Sequence, residues 1–361
     1  MRRTDTLIVG GGPAGSAVAI TLAEAGHHPL LIERHETPQQ IVCGGFLAGD
    51  ALAALARLGV DANALGARPI HRLRFIAGAR IAEAALPFPA AGLSRPTLDT
   101  ALRARSAAAG AIVETGHAVR AINGDTVRLD NGEDISAPAI FLATGKHDLR
   151  GAARPREAMG ADPAVGLRTR LALTPALAAE LDGVIELHLF DRGYAGLLLQ
   201  EDGTANLCLS VARSRLAAAA DPTALLTEIA KESPTLTAHL DQAGSIESWQ
   251  AISNIPYGWR LSSLNQSLYR VGDQAAVIAS LAGDGIAIAL TSGHAAAAAF
   301  LAGHDPSHHA RAFGRRAQRP LAVAGAIRHL AEHRHRDLLV RAAGVPGLIA
   351  LAARLTRIDR H

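Results

Sequence analysis

A glycine-rich turn near the start of the chain has the residue types and spacing to hold the phosphates of a dinucleotide. It reads Gly10-Gly11-Gly12-Pro13-Ala14-Gly15, between an apolar run at residues 6–10 and an Ala/Leu-rich segment. Gly10 permits a tight turn, Gly12 lets the backbone approach a pyrophosphate, and Gly15 allows close packing of helix on strand. The helix that follows offers unpaired N–H groups and a partial positive charge. The predicted phosphate-binding residues are Gly10, Gly12, Pro13, Ala14 and Gly15.

An acidic residue completes this pattern. Glu33 ends the second predicted strand, residues 29–33, and lies eighteen residues beyond Gly15. A carboxylate there accepts hydrogen bonds from a ribose diol, whereas a turn that is merely tight needs no such acid. Strand, helix, second strand and terminal acid together predict dinucleotide binding, with Glu33 and its neighbour Arg34 at the cofactor.

A second glycine-rich region lies late in the chain. Tyr269-Arg-Val-Gly-Asp-Gln-Ala-Ala276 is followed by Leu281-Ala-Gly-Asp-Gly-Ile286. Here the chain resembles the flavoprotein superfamily that contains p-hydroxybenzoate hydroxylase and the geranylgeranyl reductases. The resemblance implies FAD, with Asp273 on its ribityl chain and a helix N-terminus that stabilises the negative charge of reduced flavin. The cofactor-binding residues it implies in this region are Gly272, Asp273, Gly283, Gly285 and Ile286.

The resemblance covers nearly the whole chain, and its motifs fall in family order. Ser94-Arg-Pro-Thr-Leu-Asp-Thr-Ala-Leu102 is similar to a family segment whose arginine reaches the cofactor, and the chemistry of Arg95 beside a pyrophosphate is sound. Val119 stands where the family contacts adenine, and Gly145 where its FAD-domain core ends. Segments resembling the reductase branch imply cofactor contacts from Gly44 and Gly45 and catalytic roles for Cys43 and Tyr194, although a buried structural role for each stays open.

Three departures from the family leave the reaction type open. Ala143-Thr144-Gly145 replaces the Ala-Asp-Gly of the hydroxylases, and Ala279-Ser280 replaces a loop proline. Leu197-Leu-Leu-Gln200 stands where the reductases continue with Trp-x-Phe-Pro-Lys. The flavin halogenase pattern Trp-x-Trp-x-Ile-Pro is also absent, which argues against halogenation. The alternatives are reduction of a C=C bond, hydroxylation of an aromatic or alkyl-phenol substrate, and a flavin-binding redox sensor without turnover.

The elements that must position these residues follow from the periodicity of the chain. Strands alternate with helices at both ends, whereas residues 111–145 and 164–213 are strand-like and carry turn dipeptides such as Asn123-Gly124. Helical patterns cover about 221–240, 285–302 and most of the last 55 residues. The prediction is an α/β protein with a discontinuous Rossmann-type FAD-binding domain, an inserted antiparallel β-sheet substrate domain and C-terminal helices.

The domain bounds that follow are specific. We predict the FAD domain at 1–70, 95–160 and 265–305, the substrate domain at 71–94 and 161–264, and the C-terminal helical region at 306–361.

Composition excludes several other functions. The chain has 361 residues, 49% of them hydrophobic, which is ample for a packed core. Its 36 Lys+Arg nearly balance its 33 Asp+Glu, and only 3% of its residues are aromatic, so we expect no nucleic-acid partner. Two cysteines make neither a disulfide framework nor a Cys-rich zinc site, and the simplest compartment is the cytoplasm.

Two features near the end of the chain each have an ordinary explanation. His329, His333 and His335 lie among arginines that repel a cation, so we expect a solvated basic helix and no metal site. Residues 337–358 mix Leu, Val and Ile with arginines. Docking against the FAD domain is the favoured interpretation of this tail, and peripheral contact with the inner face of a membrane stays open.

The sequence therefore predicts an FAD-dependent oxidoreductase with a small apolar substrate of polyprenyl, polyketide or lipid-like type. NAD(P)H that binds transiently, or another donor, reduces the flavin, since no second GxGxxG is present. The resemblance favours C=C reduction of the geranylgeranyl-reductase kind by a small margin. The oligomeric state does not follow from the sequence.

Overall fold

The structure is a computed structural model and describes residues 1–261, 267–345 and 347–358. The strands are β1 Arg2–Arg3, β2 Thr6–Val9, β3 Leu30–Glu33, β4 Phe46–Leu47, β5 Arg68–Ala77, β6 Arg80–Gly92, β7 Ile112–Thr115, β8 Val119–Asn123, β9 Thr126–Leu129, β10 Asp134–Ser136, β11 Ala139–Leu142, β12 Ala164–Leu173, β13 Val184–Phe190, β14 Gly193–Leu199, β15 Ala205–Ala212, β16 Ala243–Ile246, β17 Gln250–Ile255 and β18 Tyr269–Arg270. The α-helices are α1 Pro13–Glu24, α2 Gly49–Arg57, α3 Arg95–Ala109, α4 Pro175–Leu181, α5 Arg213–Ala218, α6 Pro222–Glu232, α7 Pro234–Gln242, α8 Gly285–Leu301, α9 Pro306–Glu332, α10 Arg336–Ala343 and α11 Leu348–Thr356.

A parallel five-stranded sheet, in the order β18-β11-β2-β3-β7, carries the glycine-rich turns at the carboxyl ends of its strands. Its central strands β2, β3 and β11 are buried throughout, as expected for a parallel sheet that is covered on both faces. Helices α1 and α8 pack side by side against it. Their contact needs Gly293, because a Cβ there would stand 2.3 Å from the carbonyl oxygen of Ala14. A small sheet, β1-β10-β9-β8, lies beside this one in the same half of the molecule.

A larger sheet forms the second half of the molecule, in the order β16-β12-β15-β14-β13-β5-β6-β4, with β17 paired to β12. Its neighbouring strands are antiparallel except for β13 and β5. Apolar residues of α4, α6 and α7 cover one face of it. The combination of a Rossmann-type sheet with a mainly antiparallel sheet confirms the predicted fold class. Strand β4 joins the large sheet although it lies within the range 1–70 drawn for the FAD domain.

Two details differ from the sequence-based expectations. Residues 164–213 were expected to be strand-like, but Pro175–Leu181 is a helix that begins after Thr174, whose hydroxyl accepts a hydrogen bond from the backbone N–H of Leu177. The Thr-Pro pair is a helix start signal that the surrounding strand pattern obscured.

The tail also packs differently from the favoured expectation. Helix α10 lies on β5 and β6, with Val340 and Ala343 against Phe75, and α11 also lies on β6. Of the tail residues that the structure describes, Ile358, which follows α11, is the one that enters the core of the FAD half. Among the described residues, no single helix has the length and apolarity to cross a membrane; one bent pair, Arg336–Ala343 with Leu348–Thr356, passes that test on length and composition alone.

Candidate functional site

A cleft of about 980 Å³ lies between the parallel sheet and the large sheet. The predicted cofactor and catalytic residues come from distant parts of the sequence, yet all but Gly15 line this cleft. Those that line it are Gly10, Gly12, Pro13, Ala14, Glu33, Arg34, Cys43, Gly44, Gly45, Arg95, Val119, Gly145, Tyr194, Gly272, Asp273, Gly283, Gly285 and Ile286.

The turn between β2 and α1 is set by backbone contacts that exclude side chains. Gly10 has a φ of +109°, and a Cβ there would stand 2.5 Å from the carbonyl oxygen of Ala143. Gly15 lies behind the turn, where a Cβ would stand 1.9 Å from the carbonyl oxygen of Gly10. Helix α1 begins with Pro13, and proline is favoured at that position because its missing N–H would have no partner in the helix. The N-terminus of α1 therefore faces the cleft at the point where a pyrophosphate is expected.

Contacts within the protein hold the Glu33 carboxylate in place. Its Oε2 accepts a hydrogen bond of 2.7 Å from the backbone N–H of Gly11, and its Oε1 accepts one of 3.1 Å from that of His35. Arg103 stands 3.6 Å from Oε1 and donates to the carbonyl oxygen of Gly11. An ionised carboxylate has about four acceptor positions, so the fixed Glu33 retains the capacity to accept from a ribose hydroxyl.

Arg95 lies over the phosphate turn. Its guanidinium donates two hydrogen bonds to Asp99 one helical turn later, of 3.0 and 2.8 Å, and its Nη2 stands 3.3 Å from where a Cβ on Gly12 would be. Burial acts to lower the pKa of Arg95, but the Asp99 carboxylate and the Cys43 thiol beside it raise that pKa overall. A permanently charged arginine that is oriented by a carboxylate suits a phosphate ligand.

Asp273 is paired with Lys146, which follows Gly145 directly in the sequence. The Lys146 ammonium donates a 2.9 Å hydrogen bond to Asp273 Oδ2. Burial acts to lower the pKa of Lys146, but the Asp273 carboxylate outweighs it, so this pKa is raised. Arg154 donates to the backbone carbonyls of Asp273 and Lys146, and Gln274 donates to that of Gly145. These contacts tie the Gly145 loop to the Asp273 turn.

Helix α8 points its N-terminus at the cleft. Gly283 has a φ of +72°, and a Cβ there would stand 2.8 Å from the Phe46 ring, so glycine is needed on both counts. At Gly285 a Cβ would meet nothing within 4 Å, which means that the backbone borders open space. This arrangement lets a planar ring approach the backbone of the turn closely.

The loop that carries Cys43 is attached to the large sheet. Asn206 Nδ2 donates to the carbonyl oxygens of Cys43 and Gly44, at 3.0 and 2.7 Å. Asn206 Oδ1 in turn accepts a 2.6 Å hydrogen bond from Arg168, which is 2% exposed. Cys43 is therefore held at the junction of the two halves of the molecule, within the cleft.

Tyr194 also lines the cleft and is buried where the cleft borders α9. Its hydroxyl hydrogen-bonds to Ser280 Oγ, which makes a second hydrogen bond, of 2.7 Å, to the hydroxyl of Tyr257. Burial raises the pKa of Tyr194 well above its ordinary value, so the phenol is protonated at neutral pH. Ser280 is the residue that stands at the family's loop proline.

Comparison with known proteins agrees with this geometry. A family model described as an FAD binding domain matches residues 3–132. The menaquinone reductase of Mycolicibacterium smegmatis is 30% identical over 162 residues, which cover 41% of this chain and 39% of that protein. The menaquinone reductase of Mycobacterium tuberculosis is 27% identical over 317 residues, which cover 81% of this chain and 75% of that protein.

Solved structures share the fold. A geranylgeranyl bacteriochlorophyll reductase-like protein from Thermoplasma acidophilum superposes with a TM-score of 0.76 at 18% identity, covering 98% of this chain and 96% of that one. The flavin-dependent brominase Bmp2 gives a TM-score of 0.76 at 16% identity, covering 98% and 93%. At these identities the likeness concerns the fold alone.

The FAD binding domain and the reductase relatives identify the chain as an FAD-dependent oxidoreductase, similar to the superfamily that contains p-hydroxybenzoate hydroxylase and the geranylgeranyl reductases. The residues at the glycine-rich end of its cleft fit the cofactor, because the turns at Gly10–Gly12 and Gly283–Gly285 bring backbone where side chains would block it.

The other end of the flavoenzyme's cleft is apolar. Its wall is formed by β5, β6, β13 and β14 of the large sheet, by β17, by the segment before α8 and by α9 and α11. The apolar residues that line it are Leu73, Phe75, Leu86, Phe88, Ile185, Leu187, Leu198, Leu209, Ile252, Ile255, Val277, Ile278, Leu281, Ile327, Ile349, Ala352 and Ala353. Such a wall suits an apolar ligand.

One group in the part of the chain that the structure describes has ligand atoms spaced for a metal ion: Glu180, Glu186 and His239. It lies off the cleft, because Glu186 alternates along β13 with the cleft-lining Ile185 and Leu187. Glu186 already pairs with Arg74 and accepts hydrogen bonds from the Nε2 atoms of His188 and His239, at 3.0 and 2.9 Å. The buried Glu186 carboxylate thus already has its partners within the protein.

Sequence reasoning missed several residues that support the site, and the signals differ in strength. Arg103 follows Arg95 and Asp99 at successive helical turns of α3, so its place on the cofactor-facing side was readable. Lys146 adjoins Gly145 and could have been matched with Asp273 by charge. Arg168 carries no local signal, because its contact with Asn206 arises only from the pairing of β12 with β15.

Proposed function

We propose that this FAD-dependent oxidoreductase reduces a C=C bond of an apolar, prenyl-bearing small molecule, with electrons supplied by NAD(P)H. One observation carries the proposal: a single cleft runs from the glycine turns of the cofactor end to a wall of Leu, Ile and Phe side chains. Redox cofactor and apolar substrate would thus meet in one enclosure. The two menaquinone reductases among the relatives act, by their names, on a prenylated quinone, which belongs to this substrate class.

The chain's own residues would divide the work of cofactor binding. The Gly10–Gly12 turn, the N-terminus of α1 and Arg95 bind the pyrophosphate, while Glu33 accepts from the ribose diol. Asp273, oriented by Lys146, accepts from the ribityl hydroxyls. Bound FAD supplies the hydride, and the N-terminus of α8 offers its positive end to the reduced ring.

Reduction of a C=C bond also needs a proton. The Tyr194 hydroxyl carries a proton at neutral pH, as any tyrosine does, and is a candidate donor within the cleft; burial raises its pKa further, so it gives up this proton less readily than a free tyrosine. The Cys43 thiol lies in the same cleft and is the alternative donor. Replacement of each by a residue without the proton, Tyr194→Phe and Cys43→Ala, separates the two. The donor is the one whose loss slows turnover while FAD occupancy is kept.

The reductant would bind transiently. The chain has no second glycine-rich dinucleotide motif, and the FAD turns already use the two that are present. NADH and NADPH must therefore reach the flavin from the open side of the cleft.

The experiment is an anaerobic titration of the purified yellow protein with NADH and with NADPH, followed by addition of a prenylated quinone. We expect bleaching of the flavin absorbance by a nicotinamide and its return with the quinone, with two hydrogens added to the prenyl chain of the product and not only to the quinone ring. A flavin that stays reduced with the quinone, but that consumes oxygen and gives an oxygenated product once air is admitted, would favour the monooxygenase alternative. A flavin that neither nicotinamide reduces, but that is bleached by light, would favour the redox sensor.

A further inference from the structure

A buried carboxylate stands inside the flavin-facing turn and does not cap the helix that it precedes. Asp284 lies between Gly283 and Gly285, immediately before α8, and its residue is 0% exposed. Its side chain makes no capping hydrogen bond to the first turn of α8. An ionised carboxylate here cancels part of the positive potential that the helix N-terminus presents to the cleft, and its burial is costly unless it is paired.

The compensation comes from the two residues that follow α11. Arg357 Nη1 donates a 2.9 Å hydrogen bond to Asp284 Oδ1, and the backbone N–H of Ile358 donates one of 3.1 Å to Oδ2. Arg357 also donates to the carbonyl oxygen of Ala282, at 3.4 Å. Both oxygens of the carboxylate are thus bound by a segment more than seventy residues away in sequence.

The same segment is fixed by both halves of the molecule. The Arg357 guanidinium lies 4.2 Å above the Phe88 ring of β6, in the large sheet. Ile358 is 3% exposed and packs in the apolar core that includes Ile286 of α8. Arg316 of α9 donates to the carbonyl oxygen of Ile358. These contacts fix the position of Arg357, so its positive charge stays next to the Asp284 carboxylate.

The electrostatic consequence follows from burial. Desolvation raises the pKa of Asp284 to about 6 even though Arg357 acts to lower it, and the nearby Asp50 adds to the increase. Without Arg357 the negative charge at this turn would be both costly and uncompensated.

We propose that Arg357 is a positioning residue of the flavin site: it and Ile358 hold the Gly283–Gly285 turn, and its charge cancels that of Asp284, so that the N-terminus of α8 stays net positive toward the flavin. The inference rests on the placement of this turn against the flavin ring in the proposed function. It does not depend on the substrate or on the electron donor.

The test measures the cofactor and requires no substrate. Holoprotein with Arg357→Met is compared with the unaltered chain for the Kd of FAD and for the flavin midpoint potential against a reference dye. We expect a Kd at least tenfold higher. We also expect a more negative potential, by about 30 mV for each tenfold loss in relative affinity for two-electron-reduced FAD.

Three further variants make the result specific. Arg357→Lys keeps the charge and should recover most of the potential, and Asp284→Asn combined with Arg357→Met removes both charges and should restore it. Arg354→Met removes an exposed arginine from α11 and should change neither quantity. Should Arg357→Met fail to fold, the double variant decides, because the inference requires it to fold and to hold FAD.

An unchanged potential and Kd in Arg357→Met would overturn the inference. So would a double variant that stays as impaired as the single one, because the charge of Asp284 would then not be the cause. Absence of reductase activity in the unaltered chain would count against the proposed function alone. A shifted potential in Arg357→Met supports the role of Arg357 whatever the substrate is.

Discussion

The two ends of the cleft are built by different means. At the cofactor end the protein presents backbone, and glycines are needed because a Cβ at Gly10, Gly15 or Gly283 would meet another atom at less than 3 Å. At the substrate end it presents apolar side chains, drawn from strands of the large sheet and from helices far along the chain. Charged groups such as Lys146 and Asp273 are paired at the first end, and the second has an apolar wall.

This difference explains what each end tolerates. A backbone-built site depends on a few positions where only glycine fits, so one added methyl group changes it. A side-chain-built wall depends on total volume and apolarity, and most exchanges among Leu, Ile and Met leave both intact. The cofactor end therefore depends on glycine at fixed positions, and the substrate end depends on the shape and apolarity of its wall. Three predictions test this difference between the two ends, and a fourth concerns a residue outside the cleft.

The largest effect is expected from Gly15→Ala. The added Cβ would stand 1.9 Å from the carbonyl oxygen of Gly10, so the phosphate turn must open. We expect less than a tenth of the normal FAD content and a loss of about 1–3 kcal/mol in the free energy of unfolding. The ratio of flavin to protein absorbance and urea unfolding measure the two quantities.

The matched control is Gly325→Ala in α9. A Cβ there meets nothing within 4 Å, and the residue is exposed in the interior of a helix. This variant should keep its FAD and gain about 1 kcal/mol, because alanine is the better helix former. Equal FAD content in the Gly15→Ala and Gly325→Ala variants would contradict the claim that the cofactor end needs glycine at position 15.

The next effect is expected from Asp273→Ala. The substitution removes the carboxylate predicted to bind the ribityl chain and leaves the partly buried Lys146 ammonium without its partner. We expect the flavin to dissociate during gel filtration, with a Kd raised at least tenfold. Asp182→Ala removes an exposed surface partner of Arg68 and is the control. Full FAD occupancy in Asp273→Ala would show that the carboxylate is not a cofactor ligand.

A smaller and more selective effect is expected at the apolar end. Ala352 of α11 lines the cleft, whereas its neighbour Leu351 is 51% exposed on the outer side of the same helix. Ala352→Trp should raise the KM for a prenylated substrate about tenfold and leave the FAD content unchanged, while Leu351→Trp should change neither. Loss of FAD in Ala352→Trp would mean that the two ends are not separable.

The smallest effect on the cofactor is expected from a pH-sensitive residue outside the cleft. His309 of α9 is 2% exposed, and burial lowers its pKa to about 4, although its hydrogen bond to the carbonyl oxygen of Arg270 acts in the opposite direction and His308 adds to the decrease. The folded protein thus binds fewer protons than the unfolded chain between pH 6.5 and 4. Stability from this group is present above pH 6.5 and is lost as the pH falls, by up to about 3 kcal/mol.

Replacement of His309 isolates its contribution. His309→Gln should show a shallower loss of unfolding free energy between pH 6.5 and 4.5 than the unaltered chain, while FAD binding at pH 7.5 is kept. Parallel stability curves for the two proteins would contradict the assignment of a neutral buried imidazole.

How much of the molecule was predictable follows from the same contrast. The turns at Gly10–Gly15 and Gly283–Gly285 can be recognised in the sequence because their backbone geometry restricts the residue type. The fold class followed from these turns and from the strand patterns. The supporting residues Arg103 and Lys146 had weaker signals, a helical spacing and a charge match, whereas the contact of Arg168 with Asn206 arises only from strand pairing. The packing of α10 on the large sheet was not predictable, because it depends on contacts with strands far away in the sequence.

The central claim is that one cleft brings FAD and an apolar, prenyl-bearing substrate together. The most direct measurement mixes the reduced holoprotein anaerobically with a prenylated quinone and, separately, with the same quinone carrying a fully saturated chain, and follows the flavin absorbance. The account predicts reoxidation by the unsaturated compound, a product heavier by two hydrogens, and no matching product from the saturated one. A flavin that stays reduced with both compounds, or that both reoxidise equally without any change in the chain, would contradict it.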